Sequence, residues 1–197
     1  MWSAPLLDSL DLSILEFFAA HRNPVFNAVP VALGVTGTDA SAMALLTVVA
    51  VAVCVVARAW RQLAAVLLAV TVARVGVGLL KDVIQRPRPP LELALLPGDG
   101  FSFPSTHAAF TSAAAAAVIG VTLWRSPRRR HLAAALFALV VAGIGVSMVY
   151  LGSHWASDVV AGWALGVPTG YVIGRALRAR SSRAADESSA PVAPARA

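Results

Sequence analysis

The chain has 197 residues, of which 58% are hydrophobic and 13% are charged, and its formal net charge is +6. A soluble domain of this size rarely carries so little charge, so the composition argues against one and predicts a single polytopic membrane domain. The only cysteine, Cys54, excludes an intrachain disulfide framework and a cysteine zinc cluster.

The first 36 residues predict a helix lying in the membrane interface, followed by a second apolar piece. The apolar side chains that share one face of the first helix are Leu6, Leu7, Leu10, Ile14, Phe17 and Phe18. Asp8 and Glu16 fall on the opposite face, and Asp11 breaks the pattern. The apolar piece over 24–36 is short for a span, so it is either half of a re-entrant pair or the end of a kinked first span.

Five longer apolar runs follow, and each approaches or reaches the length that crosses a bilayer. These runs cover 40–57, 63–84, 105–124, 132–151 and 156–173. The sequence therefore predicts an all-α membrane helix bundle of five or six spans. We expect one domain over 1–178, with the chemically informative motifs in a core over 40–175, and a disordered cytoplasmic tail over 179–197.

Basic residues cluster between or after these runs, which is the positive-inside pattern rather than a nucleic-acid-binding surface. The clustered arginines are Arg58, Arg61, Arg125, Arg128, Arg129, Arg130, Arg175, Arg178, Arg180 and Arg183. If these loops are cytoplasmic, the opposite span ends lie outside the cytoplasm. Those ends carry Lys81, Arg86, Arg88, Ser105, His107, His154 and Asp158. Hydropathy thus gathers the residues capable of chemistry on one membrane face.

Three cations crowd one of these span ends. Lys81 is the only lysine among 16 basic residues, and Arg86 and Arg88 follow it closely. Cations on the side where the positive-inside rule expects few indicate an anionic ligand, because arginine offers a planar fork to phosphate and lysine a point charge. Arg74 lies within the same span, and we expect a structural partner for it inside the bundle.

The next span begins with Pro104, Ser105, Thr106 and His107. The N-terminus of a helix presents unpaired N–H groups and the positive end of its dipole, which together form a ready anion site. A histidine in the first turn could pass a proton to the bound group. The alternative is a simple cap, in which a hydroxyl satisfies the helix end.

His154 and Asp158 stand four residues apart, which puts both side chains on one helical face. A carboxylate there can hold an imidazole in one tautomer, as in a nucleophile with its orienting group. The alternative is a pair that caps a helix near the membrane surface. The same helical row continues through glycines that allow close helix packing, so we expect it to face the bundle interior. The glycines are Gly162, Gly166, Gly170 and Gly174.

Together these motifs resemble the signature of the type 2 phosphatidic acid phosphatase family, which is related to bacterial acid phosphatases and vanadium haloperoxidases. Residues 81–89 fit KxxxxxxRP, residues 104–107 resemble PSGH, and residues 147–158 resemble SRxxxxxHxxxD. The resemblance covers about residues 40–175. It implies an all-helical membrane fold that uses no metal or other cofactor and removes phosphate from lipid phosphates or pyrophosphates.

The family also implies a role for each matching residue. His154 would attack phosphorus and form a phosphohistidine, and Asp158 would orient it. His107 would protonate the leaving oxygen and then activate water. The phosphate-binding positions would be Lys81, Arg88, Ser105 and Thr106.

Two positions depart from the family pattern. Thr106 stands where PSGH has glycine, a position that varies in the family. Met148 stands where SRxxxxxHxxxD has an arginine that binds phosphate, and methionine cannot bind an anion. Losing such a charged donor costs about 2–4 kcal/mol of transition-state stabilisation. Arg86 is a candidate auxiliary phosphate contact, although the RPRP pattern that contains it is common in the family.

The sequence therefore predicts a bacterial integral membrane lipid phosphatase with its site outside the cytoplasm and its C-terminus inside. Its partners are membrane lipids, and its substrate is a lipid phosphate such as undecaprenyl pyrophosphate, phosphatidic acid or phosphatidylglycerol phosphate. One alternative is a low-activity member that binds phospholipid, because of Met148. Another is a lipid phosphotransferase, since the same histidine intermediate would serve transfer.

Overall fold

The computed structural model describes residues 5–38, 48 and 51–188, and no strand occurs among them. The predicted all-α class is confirmed for this part of the chain. Its longer helices are α1 Pro5–Ala20, α2 Pro24–Thr38, α3 Trp60–Ile84, α4 Thr106–Val121, α5 Pro127–Tyr150 and α6 Ala156–Ser188. A 3-10 helix, Leu91–Leu93, interrupts the loop between α3 and α4.

Two of these helices, α3 and α5, are long and apolar enough to cross a membrane. They have 25 and 24 residues and mean hydropathies of 2.3 and 2.5. At a rise of about 1.5 Å per residue either can cross a hydrocarbon core. Helix α4 is shorter, with 16 residues, and the predicted run over 40–57 lies largely outside the described residues. A total of five or six spans stays a prediction.

Helix α6 is longer than its apolar run, with 33 residues that end at Ser188. It therefore continues through residues 179–188, where the sequence predicted a disordered tail, and the last part of that predicted tail lies outside the described residues. Arg74 also differs from expectation, because its side chain is exposed on α3 rather than enclosed by the bundle.

The glycine row of α6 packs directly against α4, which confirms that this row faces the bundle interior. A Cβ atom added at Gly162 would lie 2.7 Å from the carbonyl oxygen of Ser105. At Gly166 and Gly170 it would collide with the carbonyl oxygens of Ala109 and Ala113. The two backbones approach too closely for any side chain at these positions.

Helix α1 turns the face that carries Asp11 to the bundle, and its apolar face points away from it. Its inward residues are Asp11 and Leu15, which are 3% and 0% exposed. Leu6 and Leu10, on the predicted apolar face, are 82% and 62% exposed. The residue that interrupted the pattern is thus the one that enters the protein.

The ends of α3 and α4 fix the segment that carries the cations. Gln85 caps the C-terminus of α3: its backbone is left-handed with φ 51°, and its N–H donates to the carbonyl of Lys81. Prolines beyond that point prevent a further helical turn. Ser105 is the N-cap of α4, and its hydroxyl accepts a hydrogen bond from the N–H of Ala108 at 3.4 Å.

The close contact between α4 and α6 predicts that Gly170→Ala lowers stability. Its new methyl group would overlap the Ala113 backbone, and overpacking of this kind costs about 1–3 kcal/mol. Gly143→Ala on α5 is the matched control, because an added Cβ there meets nothing within 4 Å. Thermal unfolding in detergent should show a lower Tm for Gly170→Ala only. Equal Tm values for both variants would contradict the close contact between α4 and α6.

Candidate active site

Three segments that are far apart in sequence meet at one end of the bundle. The backbone N–H of Ser105, at the start of α4, donates to the carbonyl of Asp158 in α6 at 2.9 Å. The Nη1 of Arg86, in the loop after α3, donates to Oδ1 of Asp158 at 2.8 Å. The three segments that carry the predicted motifs are therefore joined at Asp158.

His154 and Asp158 form a buried pair, although only Asp158 lies in α6 and His154 precedes the helix by two residues. Their side-chain atoms Nδ1 and Oδ2 are 3.4 Å apart, and the two residues are 3% and 0% exposed. Oδ2 of Asp158 also accepts from the N–H of Trp155 at 3.0 Å. The N–H of His154 donates to the carbonyl of Met148 at 3.3 Å. Backbone and side chain thus both hold the imidazole in place.

The contacts of His154 identify its tautomer. Nη1 of Arg88 lies 3.2 Å from Nε2 of His154. A guanidinium can only donate, so Nε2 accepts and carries the lone pair, and Nδ1 carries the proton that faces Asp158. Burial lowers the pKa of His154 to about 4, which the hydrogen bond to Asp158 opposes and the charge of Arg88 reinforces. The imidazole is therefore neutral near pH 7, with its lone pair beside a cation.

The cations Lys81 and Arg88 are half-buried beside this lone pair, and both donate to backbone carbonyls. Nζ of Lys81 donates to the oxygen of Phe101. Arg88 donates through Nη2 to Asp99 at 2.8 Å and through Nη1 to Ser153 at 2.6 Å. Carbonyl and phosphoryl oxygens are both acceptors, so these donors are oriented for an anion's oxygens.

The first turn of α4 supplies the remaining predicted residues. Ser105 is fully buried at its N-cap, and Thr106 and His107 follow it, each partly buried. The carbonyl of His107 accepts from the hydroxyl of Thr111 at 2.7 Å. The N-terminus of α4 therefore lies against the His154–Asp158 segment through the bond from the N–H of Ser105.

Arg86 occupies a different environment from the auxiliary phosphate contact that the sequence predicted. It is 1% exposed, and its fork donates to carboxylates on two other helices. Nη1 contacts Asp158, and Nη2 contacts Asp8 and Asp11, each at 2.8 Å. Nη1 also donates to the hydroxyl of Ser157 at 2.6 Å. Both ends of the guanidinium are committed to protein acceptors, so we correct the expected role.

Met148, the departure from the family pattern, contributes no polar side chain to the site. It is 3% exposed and packs in an apolar cluster with Val149, Leu151 and Leu96. Its carbonyl, rather than its side chain, supports the site by accepting from the N–H groups of Ser153 and His154. The arginine expected at this position is replaced by apolar packing.

Sequence reasoning missed the partners of Arg86 on α1, of which Asp11 is the more buried. Oδ1 of Asp11 accepts from the N–H of Ser157 at 2.9 Å, and Oδ2 accepts from the Ser157 hydroxyl. The signal was present, because Asp11 interrupts the amphipathic pattern of α1. A carboxylate on the wrong face of a helix indicates a partner inside the protein.

Comparisons with known proteins agree on one family. The sequence model of the PAP2 superfamily matches residues 41–181. Phosphatidylglycerophosphatase B of Bacillus subtilis is 26% identical over 165 residues, which are 82% of this chain and 80% of that protein. Phosphatidylglycerophosphatase B of Escherichia coli is 40% identical over 70 residues, or 34% of this chain. That match spans only 26% of the length of the Escherichia coli protein.

Two solved structures share the fold. The crystal structure of a transmembrane PAP2 type phosphatidylglycerolphosphate phosphatase from Bacillus subtilis matches with a TM-score of 0.71 and 22% identity. The match covers 96% of this chain and 90% of that one. Aquifex aeolicus LpxE matches with a TM-score of 0.66 and 23% identity, over 83% of this chain and 94% of that one. The helical arrangement is therefore that of known membrane proteins.

The buried imidazole predicts a loss of stability in acid. Because the pKa of His154 falls from 6.5 to about 4 on folding, the unfolded chain binds a proton between these pH values and the folded chain does not. Stability should therefore fall between these pH values, by up to about 3 kcal/mol from this group. Thermal unfolding of the protein and of His154→Gln, compared from pH 7 to pH 4, should show a smaller acid loss in the variant. Parallel curves would contradict the assignment.

Proposed function

The chain belongs to the PAP2 superfamily, and on that premise we propose that it hydrolyses the phosphate monoester of a membrane lipid through a phosphohistidine. One observation carries the proposal: the lone pair of His154 Nε2 lies beside Arg88 while Asp158 faces the other ring nitrogen. Phosphatidylglycerol phosphate is the favoured substrate, because the matching relatives are phosphatidylglycerophosphatases. Phosphatidic acid and undecaprenyl pyrophosphate offer the same terminal group.

The reaction proceeds by two displacements at phosphorus. Nε2 of His154 attacks, and the bond from phosphorus to the lipid oxygen breaks. His107 gives its proton to that leaving oxygen and then takes one from a water molecule, which attacks the phosphohistidine and releases inorganic phosphate. Asp158 stabilises the charge that develops on the imidazole through the Nδ1 proton.

Charge neutralisation supports this chemistry. Phosphoryl transfer spreads negative charge over the equatorial oxygens, and positioned donors lower its barrier. Lys81 and Arg88 would exchange their carbonyl partners for those oxygens. Ser105 and the N–H groups of the first turn of α4 would add donors at the positive end of the helix dipole.

The site would lie at the extracytoplasmic face of a bacterial cytoplasmic membrane, with the C-terminus in the cytoplasm. The arginines of the α4–α5 loop and the distal part of α6 lie at the opposite ends of these helices from the site. Under the positive-inside rule those ends are cytoplasmic. The site then opens toward the lipid headgroups of the outer leaflet.

Removing the nucleophile should abolish phosphate release. We expect purified protein in detergent to release phosphate from phosphatidylglycerol phosphate in the presence of EDTA, since the two cations, rather than a metal, neutralise the phosphate. His154→Ala should lose more than about 10³-fold in kcat. His131→Ala is the matched control, because His131 is exposed on α5 away from the site. Activity that survives in His154→Ala, or that EDTA abolishes, would refute the mechanism.

A low-turnover lipid-binding protein is the second candidate, and the apolar surroundings of Met148 favour it. We expect Met148→Arg to change kcat by less than about tenfold and to lower Tm, because a guanidinium there displaces apolar packing. Met148→Leu should preserve both quantities. A rise in kcat of roughly 100-fold in Met148→Arg would instead show that the natural site is impaired.

A further inference from the structure

The side of Asp158 away from His154 is occupied by a charge cluster that the proposed reaction does not use. Arg86 lies at its centre and is the largest fully buried side chain in the described part of the protein. The aromatic ring of Trp155 covers it, with the guanidinium carbon 5.3 Å from the ring centroid. A buried guanidinium is costly unless its donors are satisfied, so its partners define what the cluster does.

The guanidinium of Arg86 bridges two helices through these partners. One end, Nη1, donates to Asp158 and to the hydroxyl of Ser157, both in the first turn of α6. The other end, Nη2, donates to Asp8 and Asp11, both on α1. A planar fork can serve both sets in a fixed geometry, whereas an ammonium cannot.

Asp11 closes the cluster from the α1 side. It accepts from the backbone N–H of Ser157, which is one of the open donors at the start of α6. It also accepts from Arg86 and from the Ser157 hydroxyl. The start of the helix that carries Asp158 is therefore capped by a carboxylate from a different helix, about 150 residues earlier in the chain.

We propose that Arg86 and Asp11 are positioning residues that act through Asp158, and that α1 is thereby part of the catalytic apparatus. Oδ1 of Asp158 is held by Arg86, which leaves Oδ2 aimed at Nδ1 of His154. This rests on the proposed function, because it needs His154 as the nucleophile. Arg86 orients the group that orients the nucleophile and does not touch the phosphate.

This arrangement separates turnover from binding. Both ends of the Arg86 fork face protein carboxylates, whereas Arg88 contacts Nε2 of His154. Loss of Arg86 should therefore lower kcat and leave KM nearly unchanged. Displacement of a nucleophile by about 1 Å can cost roughly 100-fold in rate.

The test is a double-mutant cycle on kcat with phosphatidylglycerol phosphate. Arg86→Gln alone should lower kcat roughly 100-fold. In the Asp158→Asn background the same change should cost less than about threefold, because the residue through which Arg86 acts is already impaired. Arg86→Lys should recover part of the loss. Losses that multiply in the double variant, or a KM that rises as kcat is retained, would overturn the proposal.

Asp11→Asn keeps the proposal testable if Arg86→Gln does not fold. An asparagine oxygen can still accept from the N–H of Ser157, but its NH₂ group would face the donors of Arg86. We expect kcat to fall about tenfold at unchanged KM. Glu16→Gln on the exposed side of α1 is the matched control and should retain full activity. Equal kcat values in the two variants would overturn the role of Asp11.

The two proposals fail in different ways. If the unmodified chain releases no phosphate, or if His154→Ala matches it, the proposed function is refuted. If the unmodified chain is active, His154→Ala is inactive and Asp11→Asn is indistinguishable from Glu16→Gln, only the positioning role is refuted.

Discussion

The close approach of α4 and α6 is the constraint on which the site depends. Because α6 presents glycines to α4, the two backbones can touch, and the N–H of Ser105 reaches the carbonyl of Asp158. That contact places the positive end of α4 against Asp158, whose side chain faces the imidazole of His154. In-line displacement tolerates little error in the distance between nucleophile and phosphorus. Glycines between α4 and α6 let the two backbones pack in direct contact and so hold the segments of the site together.

Charge compensation divides the site into two halves at Asp158. On one side, Arg86 faces the carboxylates of α1 and α6. On the other side, Arg88 contacts the neutral imidazole of His154, and the charge of Lys81 also acts on it. Arg86 and Arg88 are two residues apart, yet their charges serve opposite purposes. The supporting half binds anions that belong to the protein, so in the proposed reaction the charges of Lys81 and Arg88 would serve the substrate.

Features with a local period could be predicted from the sequence. The glycine row and Asp158 share one ridge of α6, and the structure places that ridge inside the bundle, whereas His154 lies two residues before the helix begins. The contact between Arg86 and Asp11 joins residues 75 positions apart, and no periodicity encodes it. The amphipathic pattern of α1 predicted an apolar face but did not predict that the opposite side enters the bundle through the carboxylate of Asp11. Residues 179–188, the first part of the predicted disordered tail, are helical because α6 continues past its apolar run.

The charges in the catalytic half explain how the site could work with methionine at position 148. A phosphate monoester carries nearly two negative charges near neutral pH, and Lys81 with Arg88 supplies two positive charges. The charge of Arg86 is already offset by its own carboxylates. A third cation facing the phosphate would strengthen binding of the substrate and the product alike. An interaction shared equally by ground and transition states does not raise turnover. An arginine at position 148 would aid catalysis only through the part of its interaction that strengthens in the transition state. The N-terminus of α4 already directs N–H groups and the positive end of its dipole to that end of the bundle.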